Sequence, residues 1–315
     1  LNGYPVIRFD GSNDYLAVNN STLINEELDS TRTYFVVLRT GADIASRQVI
    51  YEEGGATRGL AIYIENDSLF IAGWNLANDG GAGAWGYFNT GDAITINTPY
   101  IATLTLNSNS TNTGTIKASI NGDTLQNINN VGVLYSHGAS IGIGAMDNAS
   151  YFPEGVAGGD NYYFDGDVAE VAFWTSAITK AQRVVIENYY AAKYGITLNE
   201  HDIARTTFST ATDFHDHLIG IGRTVDGLAL DSSDNGSIGL RYNDFVYDGE
   251  YVFASHNGAN TSAINTSDIT SGTASRFERL WQLTTNADSA RVDIIVDLSA
   301  VGALNAADLR MIYDT

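Results

Sequence analysis

The feature that most constrains this chain is a rhythm of short runs in which apolar and polar residues alternate, separated by clusters of Gly, Asn, Asp and Ser. A period of two puts successive side chains on opposite faces, which is the pattern of strands half-buried in a sandwich. Val6-Ile-Arg-Phe9 and Tyr15-Leu-Ala-Val18 flank a Gly-Ser-Asn-Asp turn, and Thr33–Leu38, Gln48–Tyr51, Leu60–Ile64, Leu69–Trp74, Tyr100–Leu106, Thr115–Ile120 and Ser140–Gly144 follow. The break Glu65-Asn-Asp-Ser68 is short enough for a hairpin, and Asn121-Gly122 is a hairpin turn pair. With 32 Gly and 3 Pro, the composition favours many tight turns over helices. A large antiparallel sandwich with its own core is the expectation.

One stretch breaks the rhythm. Asp165–Gly195 reads as a strand, a turn and an amphipathic helix: Thr179 and Gln182 have capping-box spacing, Gly195 supplies a stop, and Ala181, Val185, Tyr189 and Ala192 form one stripe. The strand and helix are expected to close the first domain, which places the border after the helix and divides the chain into 1–198 and 199–315. Beyond it, Leu218–Gly222, Gly236–Tyr242, Glu250–Ser255, Phe277–Leu283, Arg291–Val296 and Leu309–Tyr313 read as strands. In the fourth of these, Phe277, Arg279, Trp281 and Leu283 would share a face. About a hundred residues at this spacing suit a small immunoglobulin-like sandwich.

Charge excludes several functions. To residue 198 there are 9 basic and 20 acidic residues and beyond it 7 and 17, so both segments are strongly acidic and the net charge is −21. Such a field repels phosphate backbones and anionic lipid, which argues against nucleic-acid binding, and it attracts cations, Ca²⁺ among them. The chain has no cysteine, which rules out disulfides, thiolate metal sites and a cysteine nucleophile. No apolar run is long enough for a membrane-spanning helix, so membrane insertion is not expected. The strand-like openings and endings, Leu1–Phe9 and Met311–Thr315, suggest a piece of a larger multidomain chain.

The first segment resembles a laminin-G-like, concanavalin A-type jelly roll of secreted bacterial proteins. The resemblance rests on Leu1–Leu16, on Tyr163-Phe-Asp-Gly-Asp-Val-Ala-Glu-Val171 and on Lys193-Tyr-Gly-Ile-Thr-Leu198. The second resembles the β-rich domain that often follows this jelly roll in bacterial surface proteins, through Leu218-Ile-Gly-Ile-Gly-Arg223, Glu250–Gly258 and Phe277–Gln282. Together these imply an all-β protein, secreted or at a cell surface, with a role in adhesion or carbohydrate binding. The alternatives are a structural spacer in a large adhesin and a glycoside hydrolase.

Asp165-x-Asp167-x-x-Glu170 resembles the arrangement by which jelly-roll glycosidases place three carboxylates on one strand. On a regular strand Asp165 and Asp167 share a face and Glu170 points the other way, so a bulge is required. The favoured reading is an Asp-Gly-Asp turn before a closing strand, or a cation site, rather than a catalytic centre. His215-Asp-His217 would present two imidazoles but lacks a third ligand nearby. The segment Trp74–Asn89 reads as a loop combining aromatics, amides and glycines, and Trp74, Asn75, Asp79, Trp85 and Tyr87 are the candidate ligand contacts for a glycan or other surface ligand. The glycine-rich segment Asp147–Asn161 reads as an acidic loop whose Asp147 and Asp160, with Asp165 and Asp167, are candidate Ca²⁺ ligands.

Overall fold

The structure is a computed structural model that describes residues 1–26, 31–78, 84–159, 161–208, 214, 215, 217–242, 247–267, 269, 275–287, 291–301 and 311. Its contacts divide the chain into two units: Leu1–Thr179 with Tyr194–Asp202, and Lys180–Lys193 with Ile203–Thr315.

The first unit begins with β1 (Ile7–Asp10), β2 (Leu16–Val18), β3 (Thr31–Thr40), β4 (Gln48–Gly54), β5 (Arg58–Glu65) and β6 (Ser68–Asn75). It continues with β7 (Gly86–Ala93), β8 (Pro99–Asn107), β9 (Gly114–Ile120), β10 (Asp123–Thr124) and β11 (Ile128–Val131). Its last strands are β12 (Ile141–Ile143), β13 (Ala149–Phe152), β14 (Gly155–Gly158) and β15 (Asp165–Trp174). All but β13 and β14 form two antiparallel sheets of the jelly-roll sandwich: β1-β15-β3-β8-β9-β10, with β11 beside β9, and β2-β12-β4-β5-β6-β7. Alternation decides which side chains meet. Tyr34, Val36 and Leu38 of β3 and Ala102, Leu104 and Leu106 of β8 face Ile62, Ile64, Leu69 and Ile71 of the opposite sheet. The hairpin turns appear where the sequence placed them: Asn66 and Asp67 (φ 49° and 59°) join β5 to β6, and Asn121 and Gly122 (φ 48° and 88°) join β9 to β10.

The second sheet is apolar on both faces. Val49, Ala61, Tyr63, Ala72 and Trp74 point away from the main core and pack under Met146 and Phe152. The cover is the β13–β14 hairpin, paired from Ala149↔Gly158 to Phe152↔Gly155. The segment that reads as an acidic loop in sequence is thus partly a hairpin lying on a sheet. Likewise Gly86–Ala93, expected in part as loop, is the edge strand β7, paired with β6 from Ser68↔Ala93 to Asn75↔Gly86. Its Gly-Tyr-Phe-Asn-Thr-Gly-Asp-Ala sequence lacks apolar alternation, and the strand lies half-buried at the sheet edge.

The second unit contains helix α1 (Lys180–Tyr194, its last residue in the first unit), the short helix α2 (Arg205–Phe208), and β16 (Ile219–Arg223), β17 (Ala229–Leu230), β18 (Ser232–Asp234) and β19 (Ile238–Arg241). After them come β20 (Tyr251–His256), β21 (Ile264–Asn265), β22 (Arg276–Phe277), β23 (Trp281–Thr285) and β24 (Asp293–Val296). The sheets β17-β16-β20-β23 and β18-β19-β24 pack through Ile219, Ile221, Val252, Ala254, Ile238 and Leu240, a small β-sandwich. The expected strand 277–283 is broken: Phe277 pairs with Ile264 while Trp281 pairs with His256, so Phe277 and Trp281 belong to different sheets. The strand expected at Leu309–Tyr313 lies outside the described residues apart from Met311.

Helix α1 starts and stops as its caps dictate, with Gly195 left-handed (φ 69°) just past its end. The sequence border at 198 would assign it to the first domain. Its Val184, Val185 and Ala192 share a cluster with Leu218, Tyr251 and Phe253 of the second unit. Glycine makes that fit possible: a Cβ on Gly222 would stand 2.0 Å from Tyr251 Cδ1, and one on Gly220 would stand 2.6 Å from Phe253 Cδ1 and 3.1 Å from Val185 Cγ2. The Leu218-Ile-Gly-Ile-Gly222 signature is therefore a packing device, with glycines on the face that receives rings.

Candidate ligand site

Strand pairing, together with the left-handed Gly86 (φ 84°) between Trp85 and Tyr87, separates the residues that the sequence groups into one loop. Trp74 and Tyr87 pair across β6 and β7 and lie on the outer face of the second sheet. Trp74 is fully buried there, and its indole N–H donates to the Gly55 carbonyl at 2.8 Å. Asn75 and Trp85 lie on the opposite face: Asn75 is buried and accepts from Arg58 Nε at 3.1 Å, while Trp85 stacks on Phe88 at 5.1 Å and donates to the Val133 carbonyl. Asp79 lies outside the described residues.

What the fold gathers around Tyr87 is a different set. Tyr151 of the hairpin sits 5.2 Å from Tyr87, ring centroid to ring centroid, and Tyr63 stacks on Phe70 at 5.2 Å and 20°. The Phe70 ring lies against Gly91, where a Cβ would meet it at 2.6 Å. Asn89 Nδ2 donates to the Tyr63 hydroxyl at 2.9 Å, and that hydroxyl shares a 3.3 Å hydrogen bond with Tyr87. Burial, above all, pushes the phenols of Tyr63 and Tyr87 above the usual tyrosine value, so both are neutral hydroxyls. Tyr87, Asn89, Phe70 and Tyr151 are all partly exposed along the open edge of the sheet. No hydrogen bond engages the Tyr151 hydroxyl or the Asn89 side-chain oxygen among the described residues. Arg47, which packs on Phe152 at 4.3 Å, is paired with Glu65 at 2.7 Å and Glu154 at 2.6 Å. Sequence reasoning missed Asn89 and Tyr151 because their proximity depends on the pairing of β7 and the folding back of the hairpin.

The three carboxylates of β15 do share a face. The register against β3 shifts between Val168 and Glu170, so a bulge at Ala169 returns Glu170 to the side of Asp165 and Asp167. Each is already engaged, however. Arg8 pairs with Asp165, and Arg39 Nε donates to Asp167 at 2.7 Å with Arg8 3.6 Å from its other oxygen. The Ala42 N–H also donates to Asp165 at 3.0 Å, and the Tyr194 hydroxyl donates to Glu170 at 2.8 Å. Two guanidinium groups stand where a bound cation would stand.

Asp147 lies at the other sheet, its backbone N–H donating to Glu52 Oε2 at 3.3 Å, and Asp160 lies outside the described residues. Among the described residues no three of His, Asp and Glu are grouped as a metal site. In the second unit, His217 stacks on His256 with ring centroids 4.0 Å apart, and His256 Nδ1 accepts from the Gly258 N–H at 3.0 Å. Burial, then the neighbouring His217 and Arg279, lowers His256 to about 4. No helix among the described residues is long and apolar enough to cross a membrane.

A family model described as a domain of unknown function, DUF8202, matches residues 182–315. No curated protein matches the sequence. Among solved structures, the Ruminococcus gnavus IT-sialidase CBM40 bound to α2,3-sialyllactose is similar at 13% identity and a TM-score of 0.40, over 56% of this chain and 93% of that one. A putative carbohydrate-binding protein from Bacteroides ovatus is similar at 19% identity and a TM-score of 0.39, over 56% of this chain and 45% of that one. The binding domain of botulinum neurotoxin serotype D is similar at 11% identity and a TM-score of 0.44, over 90% of this chain and 70% of that one. At these values neither ligand nor activity transfers to this chain.

Proposed function

We propose that this chain is a non-catalytic recognition module of a secreted or surface protein, and that it binds a neutral glycan along the open edge of the second sheet through Tyr87, Asn89 and Tyr151. The observation that carries the reading is the juxtaposition of partly exposed aromatic rings with a tyrosine hydroxyl and an amide oxygen that have no hydrogen bond among the described residues, on one strand and the hairpin beside it. Ring faces pack on the C–H face of a pyranose while the hydroxyl and amide orient its hydroxyl groups. An acidic sugar is disfavoured, because Arg47 beside the site is already neutralised by Glu65 and Glu154 and the chain carries a net charge of −21. The non-catalytic part of the reading is supported by the carboxylates of β15: a hydrolase needs one carboxyl as acid and another as base or nucleophile, and here both aspartates are held by arginines.

A glycan array probed with the full chain tests this. Binding to neutral glycans is expected, weakened about 10-fold or more by Tyr87→Ala or Tyr151→Ala. Trp85→Phe, on the opposite face, should leave it unchanged. Binding that persists in both tyrosine variants, or no binding to any neutral glycan, sinks the proposal.

A further inference from the structure

Between the outer face of the second sheet and the hairpin that covers it lies a layer that is not purely apolar. Glu52 projects into it from β4: its partners across the sheet are Ala61 and Gly142, and the lack of a side chain on Gly142 lets the backbone of Ala145 and Asp147 close over the strand. The side chain is fully buried, and among the described residues Oε2 accepts only the 3.3 Å bond from the Asp147 N–H and Oε1 has no partner. A buried carboxylate oxygen without a donor is costly enough that native proteins rarely tolerate one.

It is not the only such oxygen there. Ser150 is fully buried with its Oγ unpartnered, and it lies on the same side of β13 as Phe152, whose ring packs on Tyr63 of the sheet. Asn161 bridges to Met146, the neighbour of Asp147, and its Oδ1 is buried and unpartnered as well. Three orphaned oxygens and the Asp147 carboxyl thus occur around one loop.

The geometry points to a site for a hard divalent cation beneath the β13–β14 hairpin, built from Glu52, Asp147, Ser150 and Asn161. An all-oxygen set of two carboxylates, a hydroxyl and an amide suits Ca²⁺, which accepts irregular shells of six to eight oxygens, and offers no soft or imidazole ligand to a transition metal. The net charge of −21 raises the local cation concentration. The ion would fasten the strand that carries Tyr151 to β4. The site itself does not rest on the glycan reading, and it is tested with Ca²⁺ alone.

The test is thermal unfolding and calorimetric titration of the full chain with CaCl₂ after treatment with chelator. Millimolar Ca²⁺ is expected to raise the unfolding temperature of the first unit by several degrees. Glu52→Gln should abolish the shift while unfolding no earlier than the chelated parent, since it removes a buried acid but keeps its shape. Should Glu52→Gln not fold, Ser150→Ala and Asn161→Ala replace it, each weakening Ca²⁺ about 10-fold. No heat and no thermal shift up to 10 mM Ca²⁺, or a shift undiminished in these variants, overturns the site and leaves ordered water as the occupant of the layer.

Discussion

Replacing Tyr34 or Tyr51 by Phe tests how the jelly roll tolerates a carboxylate inside its main core. Glu53 is fully buried and receives hydrogen bonds from the Tyr34 hydroxyl at 2.9 and 2.8 Å and from the Tyr51 hydroxyl at 2.5 Å. His137 Nε2 lies 3.3 Å away and Arg32 Nη1 3.8 Å away, the latter also donating to the Tyr34 oxygen at 3.2 Å. A hydrogen bond to a charged partner is worth about 1.5–3 kcal/mol. Tyr34→Phe removes one bond to Glu53 and one acceptor for Arg32, so it should cost about 3 kcal/mol, and Tyr51→Phe about 2 kcal/mol. The ring contacts of Tyr34 with Tyr51 and Phe173 remain, which separates the hydroxyl from packing. Because both hydroxyls serve one carboxylate, the double variant should depart from additivity by at least about 0.5 kcal/mol. Urea unfolding followed by tryptophan fluorescence reads this, since Trp74, Trp85 and Trp174 lie in the first unit and Trp281 in the second. A Tyr34→Phe cost below about 0.5 kcal/mol, or strict additivity, would refute the network.

Two further expectations concern the second unit. Gly222→Ala drives a Cβ into the Tyr251 ring and should destabilise this unit by about 1–3 kcal/mol, visible as an earlier second transition; an unchanged midpoint would mean that the ring yields freely. His256, lowered from 6.5 to about 4, binds its proton in the unfolded chain first. Its contribution is therefore complete above pH 6.5 and is lost as the pH falls toward 4, with a slope no steeper than about 1.4 kcal/mol per pH unit. Unfolding of the parent and of His256→Gln between pH 7 and 4.5 checks this, and parallel curves would contradict it.

The sequence by itself determined the strands whose side chains alternate between two packed layers, the turns that need left-handed residues, and the caps of α1. Each is a local matter: a pleat of period two, an Asn-Gly pair, a Thr with a Gln three residues on. It also stated the condition under which Glu170 would join Asp165 and Asp167, but only the register against β3 showed that Ala169 meets it. What tertiary structure alone decided is which residues share a face across strands distant in sequence. Trp74, Asn75, Trp85 and Tyr87 are close in the chain, yet Trp74 and Tyr87 pack in the outer layer while Trp85 packs on the main core. Tyr151 reaches Tyr87, and the Asp147 N–H reaches the buried Glu52, because a glycine-rich segment with little alternation folds back as a hairpin onto a sheet apolar on both sides. Helix α1 carries its own start, stop and apolar stripe in sequence, but its partner was set by where Gly220 and Gly222 leave room for Phe253 and Tyr251. Local propensity fixes an element; the complementarity of distant surfaces fixes its neighbour.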